Sequence, residues 1–236
     1  MNIPADRASG PAPKPDQQVR QPPVDLDGLA RRAAALVPGD GGRAILGICG
    51  APGAGKSTLA EEILRRVRQE HGEHWAAHVP MDGFHLADVQ LERLGFADRK
   101  GAPETFDADG YATLLARLAR GGGGVVYAPG FERELEQPIA AAIAVPPEAR
   151  LVVTEGNYLL FEDAAWAAAR SWMSEVWYVD ADPARRVERL IRRHVQFGKS
   201  PEHARDWVLR SDEANARLVE ATRGRADLVV TSYPLA

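Results

Sequence analysis

The stretch Gly50-Ala51-Pro52-Gly53-Ala54-Gly55-Lys56-Ser57-Thr58 constrains this chain more than any other. It fits G-x-x-x-x-G-K-[ST], a loop that works only between a strand and a helix. Both flanks are present. Ala44-Ile45-Leu46-Gly47-Ile48-Cys49 is a short, wholly apolar run of the kind that forms a buried parallel strand. After the loop, Leu59, Ile63, Leu64 and Val67 recur at helical spacing. Glycines let backbone N–H groups curl around phosphate oxygens, and the following helix turns its positive end toward them. Lys56 can then reach the β- and γ-phosphates of a nucleotide, and Ser57 can offer its hydroxyl to Mg²⁺. The bland alternative is a glycine turn with no ligand. The flanking strand and helix argue against it.

The chain's 236 residues suffice for one sizeable core with trimmings. A net charge of −4 gives no global reason to expect nucleic acid or an anionic membrane surface as partner. Cys49 is the single cysteine, so an intrachain disulfide is impossible, and its place in the apolar run predicts a small core residue. No apolar run has bilayer length, and Met1-Asn2-Ile3-Pro4 lacks a signal pattern. The expectation is a soluble, cytoplasmic protein.

Residues 1–23 carry six prolines and few large apolar side chains, which predicts a disordered tail. Residues 24–42 read as an N-terminal helix and linker: Asp25 can cap a helix with Leu26, Leu29, Ala33, Leu36 and Val37 on one face, stopped by Pro38-Gly39. The domain proper is expected over 43–236. Ala76–Met81 reads as a second strand, at an edge because of Pro80, with Asp82-Gly83 turning at its end. A short helix is expected around Val89–Leu94 and a longer one over Asp107–Arg120. Val125–Tyr127 suggests a short strand, and Ala128–Pro147 stays unassigned. Leu151–Thr154 and Glu175–Val179 are further buried strands. Pro183 opens a basic helix to about Phe197, Pro201 another to about Thr222, and Leu228–Val230 is a last strand. His71 and His78 read as surface residues. Strands alternating with helices predict an α/β domain with a mainly parallel sheet.

In such sheets ligands bind beyond the carboxyl ends of the strands. Four strand ends then carry the loop at Gly50, Asp82, Glu155 and Asp180. Asp82 suits a base that accepts the proton of an attacking hydroxyl, against the plainer reading of a turn-forming aspartate. Glu155 ends an apolar strand, where an acid can hold Mg²⁺ directly or through water, against a helix-capping role. Arg185, Arg186, Arg189, Arg192, Arg193 and His194 crowd one helix. Most should be solvated, while one or two can close over a transferring phosphate, with Arg192 and Arg193 as the catalytic candidates. His85, Arg99, Tyr127 and Arg133 are candidate acceptor-binding residues because they sit in irregular stretches, where recognition concentrates, as Lys100 and Asp107 also do.

Gly50–Thr58, Met81-Asp82-Gly83-Phe84-His85, Lys100-Gly101-Ala102-Pro103-Glu104-Thr105-Phe106-Asp107 and Glu155-Gly156-Asn157-Tyr158-Leu159-Leu160, in this order, resemble the P-loop kinases that include uridine kinase, phosphoribulokinase and bacterial pantothenate kinase. The resemblance covers about residues 43–231. The Asp-Gly-Phe and Lys-Gly-x-Pro-Glu stretches are most similar to pantothenate kinase. His85 and Tyr127–Arg133 depart from it and resemble relatives described as nucleoside/nucleotide kinases or as kinases linked to fructose uptake. The resemblance implies a P-loop NTPase three-layer sandwich with a helical lid at about 189–200. It also implies ATP and Mg²⁺ as cofactors, Asp82 as base, Lys56 and Ser57 on phosphate and metal, Glu155 near the metal, and an adenine site near Arg225-Ala226-Asp227. It leaves the acceptor open.

The leading expectation is ATP-dependent phosphorylation of a hydroxyl on a small metabolite such as a sugar, a nucleoside or a pantothenate-like alcohol. No nucleic acid or membrane partner is expected, and a homodimer stays open. The alternatives are a nucleotide-binding ATPase, switch or motor without a small acceptor, or a degenerate member that regulates a partner. No N-K-x-D base-reading motif and no Ser-Gly-Gly signature is present, and retention of Lys56, Ser57, Asp82 and Glu155 argues against degeneracy.

Overall fold

The computed structural model describes residues 25–231; the tail expected to be disordered lies outside them. Asp25 caps α1 (Leu26–Ala35), its carboxylate accepting from the Gly28 backbone N–H at 2.8 Å. There follow β1 (Ala44–Cys49), α2 (Lys56–His71), β2 (Ala76–His78), α3 (Asp88–Leu94) and α4 (Ala108–Arg120). Then come β3 (Val126–Glu132), β4 (Gln137–Val145), β5 (Leu151–Gly156), α5 (Ala164–Arg170) and β6 (Glu175–Asp180). The chain continues with α6 (Pro183–Gln196), α7 (Pro201–Trp207), α8 (Glu213–Glu220) and β7 (Leu228–Thr231).

Five strands pair in parallel in the order β2-β5-β1-β6-β7. Every residue of β1 and of β5 is buried, as unbroken apolar runs require when helices cover both faces of a sheet. Alternation sorts the two faces. Ile45 and Cys49 join Tyr111, Leu115 and Leu118 of α4 and Trp166 of α5. Leu46 and Ile48 join Leu59, Ile63 and Val67 of α2 and Ala30 and Ala33 of α1. The result is a three-layer α/β sandwich of the P-loop NTPase type. The N-terminal helix is part of one outer layer: Arg66 of α2 donates to Asp27 at 2.8 Å, and Ala30 and Ala33 of α1 are buried.

The structure departs from the sequence reading in several places. β2 stops at His78; Val79 still donates to the Val153 carbonyl at 2.9 Å, but Pro80 ends the ladder and Met81–Phe84 coil into a 3₁₀ turn. His78 is partly buried, and its Nε2 is enclosed with no hydrogen-bond partner, whereas His71 is exposed and stacks on Trp75. The unassigned stretch is an antiparallel hairpin, β3–β4. Pro129 sits where its register shifts, between Ala128 and Gly130, opposite Ala141 at φ 56°. Most of alanine-rich β4 is exposed, so neither propensity nor alternating burial marks it as a strand. The helix expected from Pro201 onward contains a π-turn at Val208–Asp212 between α7 and α8. α5 has no counterpart in the sequence reading.

Candidate active site

A cavity of about 400 Å³ opens at the carboxyl edge of the sheet. One wall is the loop between β1 and α2. Lys56, only 8% exposed, donates to the Ala51 carbonyl at 3.2 Å and to Asn157 Oδ1 at 2.7 Å. Ser57 Oγ donates to Glu155 Oε1 at 2.9 Å. This hydroxyl and carboxylate are hard oxygen donors suited to Mg²⁺. Among the described residues no group of three His, Cys, Asp or Glu side chains converges on a metal position. A magnesium ion here must complete its shell with water and nucleotide oxygens, which is its usual habit in phosphate-transferring sites.

Gly53 connects this wall to the roof. At φ 74°, it sits so close to α6 that a Cβ would lie 2.7 Å from Leu190 Cγ and 3.1 Å from the Arg186 carbonyl. Arg186 was expected to be solvated, yet it is 2% exposed. Its guanidinium donates to the Pro52 carbonyl at 3.2 Å and to Glu213 at 2.5 Å. Arg189 donates to the Gly53 carbonyl at 3.2 Å. Arg193, one turn on, lines the cavity with no hydrogen bond or ion pair among the described residues. Arg192 points away and pairs with Glu188 at 3.8 Å. The turn after α6 brings Phe197 and Lys199 over the opening, and the π-turn helps turn Asp212 and Asn215 inward. Asp212 meets His194 Nε2 at 3.0 Å.

The far wall comes from the turn after β2 and from the hairpin. Asp82 faces the cavity, and Arg133 of the hairpin approaches it at 3.3 Å. Gly83 permits this: a Cβ there would stand 2.3 Å from the Pro129 carbonyl, so only glycine lets the hairpin seat against the Asp82 turn. His85 is sandwiched between Phe106 and Phe131, with ring centroids 4.0 and 4.8 Å away.

The ionisable groups are pushed apart. Burial lowers Lys56, opposed by the Glu155 and Asp82 carboxylates. Burial raises Glu155, and the neighbouring Asp82 charge raises it further against Lys56 and Ser57. Asp82 goes the other way. Burial would raise it, but His85 when protonated, then Arg133, Lys56 and Arg193, hold it below the usual carboxylate range. At neutral pH Asp82 is therefore an ionised acceptor. Two neighbouring carboxyls displaced in opposite directions are the pattern of an acid–base site.

Of the residues singled out in the sequence, Pro52, Gly53, Lys56, Ser57, Asp82, His85, Arg133, Glu155 and Arg193 meet at this cavity. Others do not. Arg99 pairs with Glu104 at 3.0 Å and lies over Phe96. Tyr127 is exposed, turned outward by the strand alternation of β3. Asp180 ends β6 as expected but pairs with Arg223 at 3.0 Å away from the cavity. Asp107 caps α4, accepting from Gly110 at 2.8 Å. Arg225 and Asp227 are engaged internally: Arg225 donates to the Leu160 carbonyl and Glu162, while Asp227 accepts from Arg170 and the Val176 N–H. Asn157 was the residue missed on the phosphate wall. Its signal was its place two residues beyond Glu155, at the carboxyl end of a buried strand.

A parallel sheet carrying a phosphate loop, a strand-end acid and a buried lysine at one cavity is the nucleotide site of a P-loop protein, and the family match makes it a P-loop kinase. The family model "Phosphoribulokinase / Uridine kinase family" matches residues 45–236, and the chain belongs to that family. "Putative uridine kinase C227.14" of Schizosaccharomyces pombe is 30% identical over 225 residues, covering 92% of this chain and 95% of the relative. Protein YggC of Escherichia coli K12 is 32% identical, over 80% of this chain and 77% of its own. Among solved structures, a "putative fructose transport system kinase" from Silicibacter sp. TM1040 superposes with a TM-score of 0.79 at 36% identity, covering 88% of this chain and 99% of that one. YFH7 of Saccharomyces cerevisiae shares the fold, with a TM-score of 0.74 at 20% identity over 90% of this chain and all of that one.

Proposed function

We propose that the protein transfers the γ-phosphoryl group of ATP to a hydroxyl of a small metabolite. The observation that carries this reading is the convergence of Asp82 with Lys56, Ser57 and Glu155 on one cavity. An ionised carboxylate across the crevice from the phosphate wall suits deprotonation of an acceptor hydroxyl; a hydrolase would use the same group on water, so dependence of ADP release on an added acceptor separates the two. In this reading the Gly50–Thr58 backbone cradles the phosphates and Lys56 sets a point charge against the β- and γ-oxygens. Ser57 and Glu155 hold Mg²⁺, which neutralises charge between those oxygens when bound. Asp82 accepts the proton of the attacking hydroxyl. Before that it must leave Arg133, whose charge is then free to face the acceptor or the transferring group. Arg193 has no anionic partner among the described residues, which suits it to charge that appears only on the phosphoryl group.

Asp82→Asn tests this. It preserves shape but cannot accept a proton at neutral pH. Acceptor-dependent ADP release should fall by roughly 10²–10⁴, the usual contribution of a positioned base, with nucleotide affinity unchanged by titration. Unaltered release would remove Asp82 from the chemistry; lost nucleotide affinity with intact transfer would make it a metal ligand instead.

A further inference from the structure

At the opposite end of the sheet, where β1, β2 and β5 begin, lies a second cavity of about 560 Å³. The six residues of β1 separate it from the phosphate loop, a rise of about 20 Å. Three arginines line it: Arg43 just before β1, Arg150 just before β5, and Arg120 at the end of α4. Glu148 is the one carboxylate on the lining, and Trp75, just before β2, is the one aromatic ring.

The positive charge here is not answered by the protein. Arg43 donates to the carbonyls of Ala149 at 2.7 Å, Leu118 at 2.9 Å and Pro146 at 3.2 Å, and meets no carboxylate among the described residues. Burial, and then the charge of neighbouring Arg150, push it below its ordinary value, so the two cations are close enough to repel. Arg150 is committed through Nε alone, to the Gly42 carbonyl at 3.1 Å; its terminal nitrogens have no partner among the described residues. Arg120 is exposed, lies 5.1 Å over the Trp172 ring and has no ion pair among the described residues. Glu148 is exposed and pairs with no cation among them either. Asp40 lies outside the lining and accepts from the Gly42 N–H at 2.9 Å. The carboxyl end of α4 adds about half a negative charge, which Arg43 already meets at the Leu118 carbonyl. Three cations against one carboxylate and that partial charge leave the cavity positive. Partly buried charge without a counter-charge costs stability, and an anion in the cavity would relieve it.

We propose that this cavity is a second anion site, for a tetrahedral dianion: inorganic phosphate or the phosphate group of a small phosphorylated metabolite. The free terminal nitrogens of Arg150 bind two of its oxygens, the fork geometry that guanidinium and phosphate share. Arg120 adds a further charge-assisted bond from the end of α4, and Arg43 supplies charge without touching the ligand. Gly41, Gly121 and Gly122 line the cavity with no side chain to cover the arginines. None of these residues belongs to the cavity at the carboxyl edge of the sheet, so the site stands whatever reaction is run there.

The test uses the full chain labelled with fluorotryptophan and saturated with ADP and Mg²⁺, so that the phosphate loop is occupied. The ¹⁹F resonances of Trp75 and Trp172 report this cavity, and that of Trp207 reports the other; Trp75→Phe, Trp172→Phe and Trp207→Phe assign them. Inorganic phosphate is titrated at constant ionic strength against chloride. Phosphate should shift Trp75 saturably and leave Trp207 in place. Arg120→Gln and Arg150→Gln should each weaken binding by roughly tenfold or more, as the loss of a charge-assisted hydrogen bond does. Glu148→Gln should tighten it. Arg120 and Glu148 are exposed, so those two variants decide the matter even if Arg150→Gln fails to fold. Parallel titrations with ribose 5-phosphate and AMP tell the sources apart: tighter binding than phosphate identifies a metabolite's phosphate group, equal or weaker binding identifies free phosphate, and both support the site. A shift of Trp207 alone, an equal response to chloride, or no saturable shift at millimolar phosphate would overturn the proposal. So would midpoints that Arg120→Gln and Glu148→Gln leave unchanged.

Discussion

The two walls of the cavity are built by different means. The phosphate wall comes from two short stretches on neighbouring central strands. Gly50 to Ser57 supplies the loop, and Glu155 and Asn157 arrive on β5, which pairs with β1 along its full length. Its strands are buried at every position, so the geometry is held by the centre of the sheet. The acceptor wall is assembled from the turn after the three-residue edge strand β2, the Lys100 segment and a hairpin outside the main sheet. Its segments are held by the ion pairs Arg133–Asp82 at 3.3 Å and Lys100–Asp88 at 2.6 Å, by aromatic contacts around His85 and by one glycine-enabled approach. A family can keep the first wall and vary the second. In the function proposed above, the phosphate chemistry sits on the rigid wall and acceptor choice on the wall with fewer constraints.

That contrast can be broken experimentally. The largest effect is expected for Lys56→Ala: transfer should fall by on the order of 10³ or more, because a point charge on the transferring group is lost. The melting temperature should stay near that of wild type, since the sheet is untouched. Near-normal turnover in a folded variant would show that the phosphate wall has been misread.

Next come the roof arginines. Arg193→Ala should lower turnover by roughly 10²–10³, whereas Arg192→Ala, which releases only an exposed pair with Glu188, should be silent. Steady-state kinetics on both variants decide it; equal effects would reduce the helix to a charged surface.

The edge strand should be the acid-sensitive part of the fold. His78 is pushed down to about 4 by burial, with Arg68 adding to it. Its folded pKa lies below its unfolded value, so the unfolded chain takes the proton first. Its part of the stability is complete above about pH 6.5 and is lost as pH falls toward 4, amounting to about 3 kcal/mol there. Urea denaturation of wild type and His78→Leu across that window should show a flatter profile for the variant. Parallel profiles would place the acid sensitivity elsewhere.

The smallest effect concerns the seating of the hairpin. Gly83→Ala forces the Pro129 carbonyl away and should cut acceptor-dependent turnover by about tenfold, through displacement of Asp82 and Arg133. Nucleotide affinity should hold. If ATP binding weakens equally, the two walls are mechanically one unit.

Much of the phosphate wall was legible because its information is local. The glycine loop, the apolar run before it and the periodic helix after it define one another within about thirty residues, as a βα unit does. Asp82 and Glu155 followed from one general rule about strand ends. The same rule also nominated Asp180, which the fold assigns to Arg223 instead. Sequence therefore determined the central parallel sheet, the phosphate loop and the short set of residues from which the proposed site is drawn. Only tertiary structure decided which of six clustered basic residues enters the cavity, because α6 winds Arg186 under the loop, Arg192 outward and Arg193 inward. It alone revealed the hairpin, whose strand character comes from pairing rather than from propensity. It alone placed the His85 ring, held by a backbone carbonyl three residues away and by two aromatic rings from other segments. Helix phase, strand pairing and burial depend on what packs opposite, and that partner is far away in the chain.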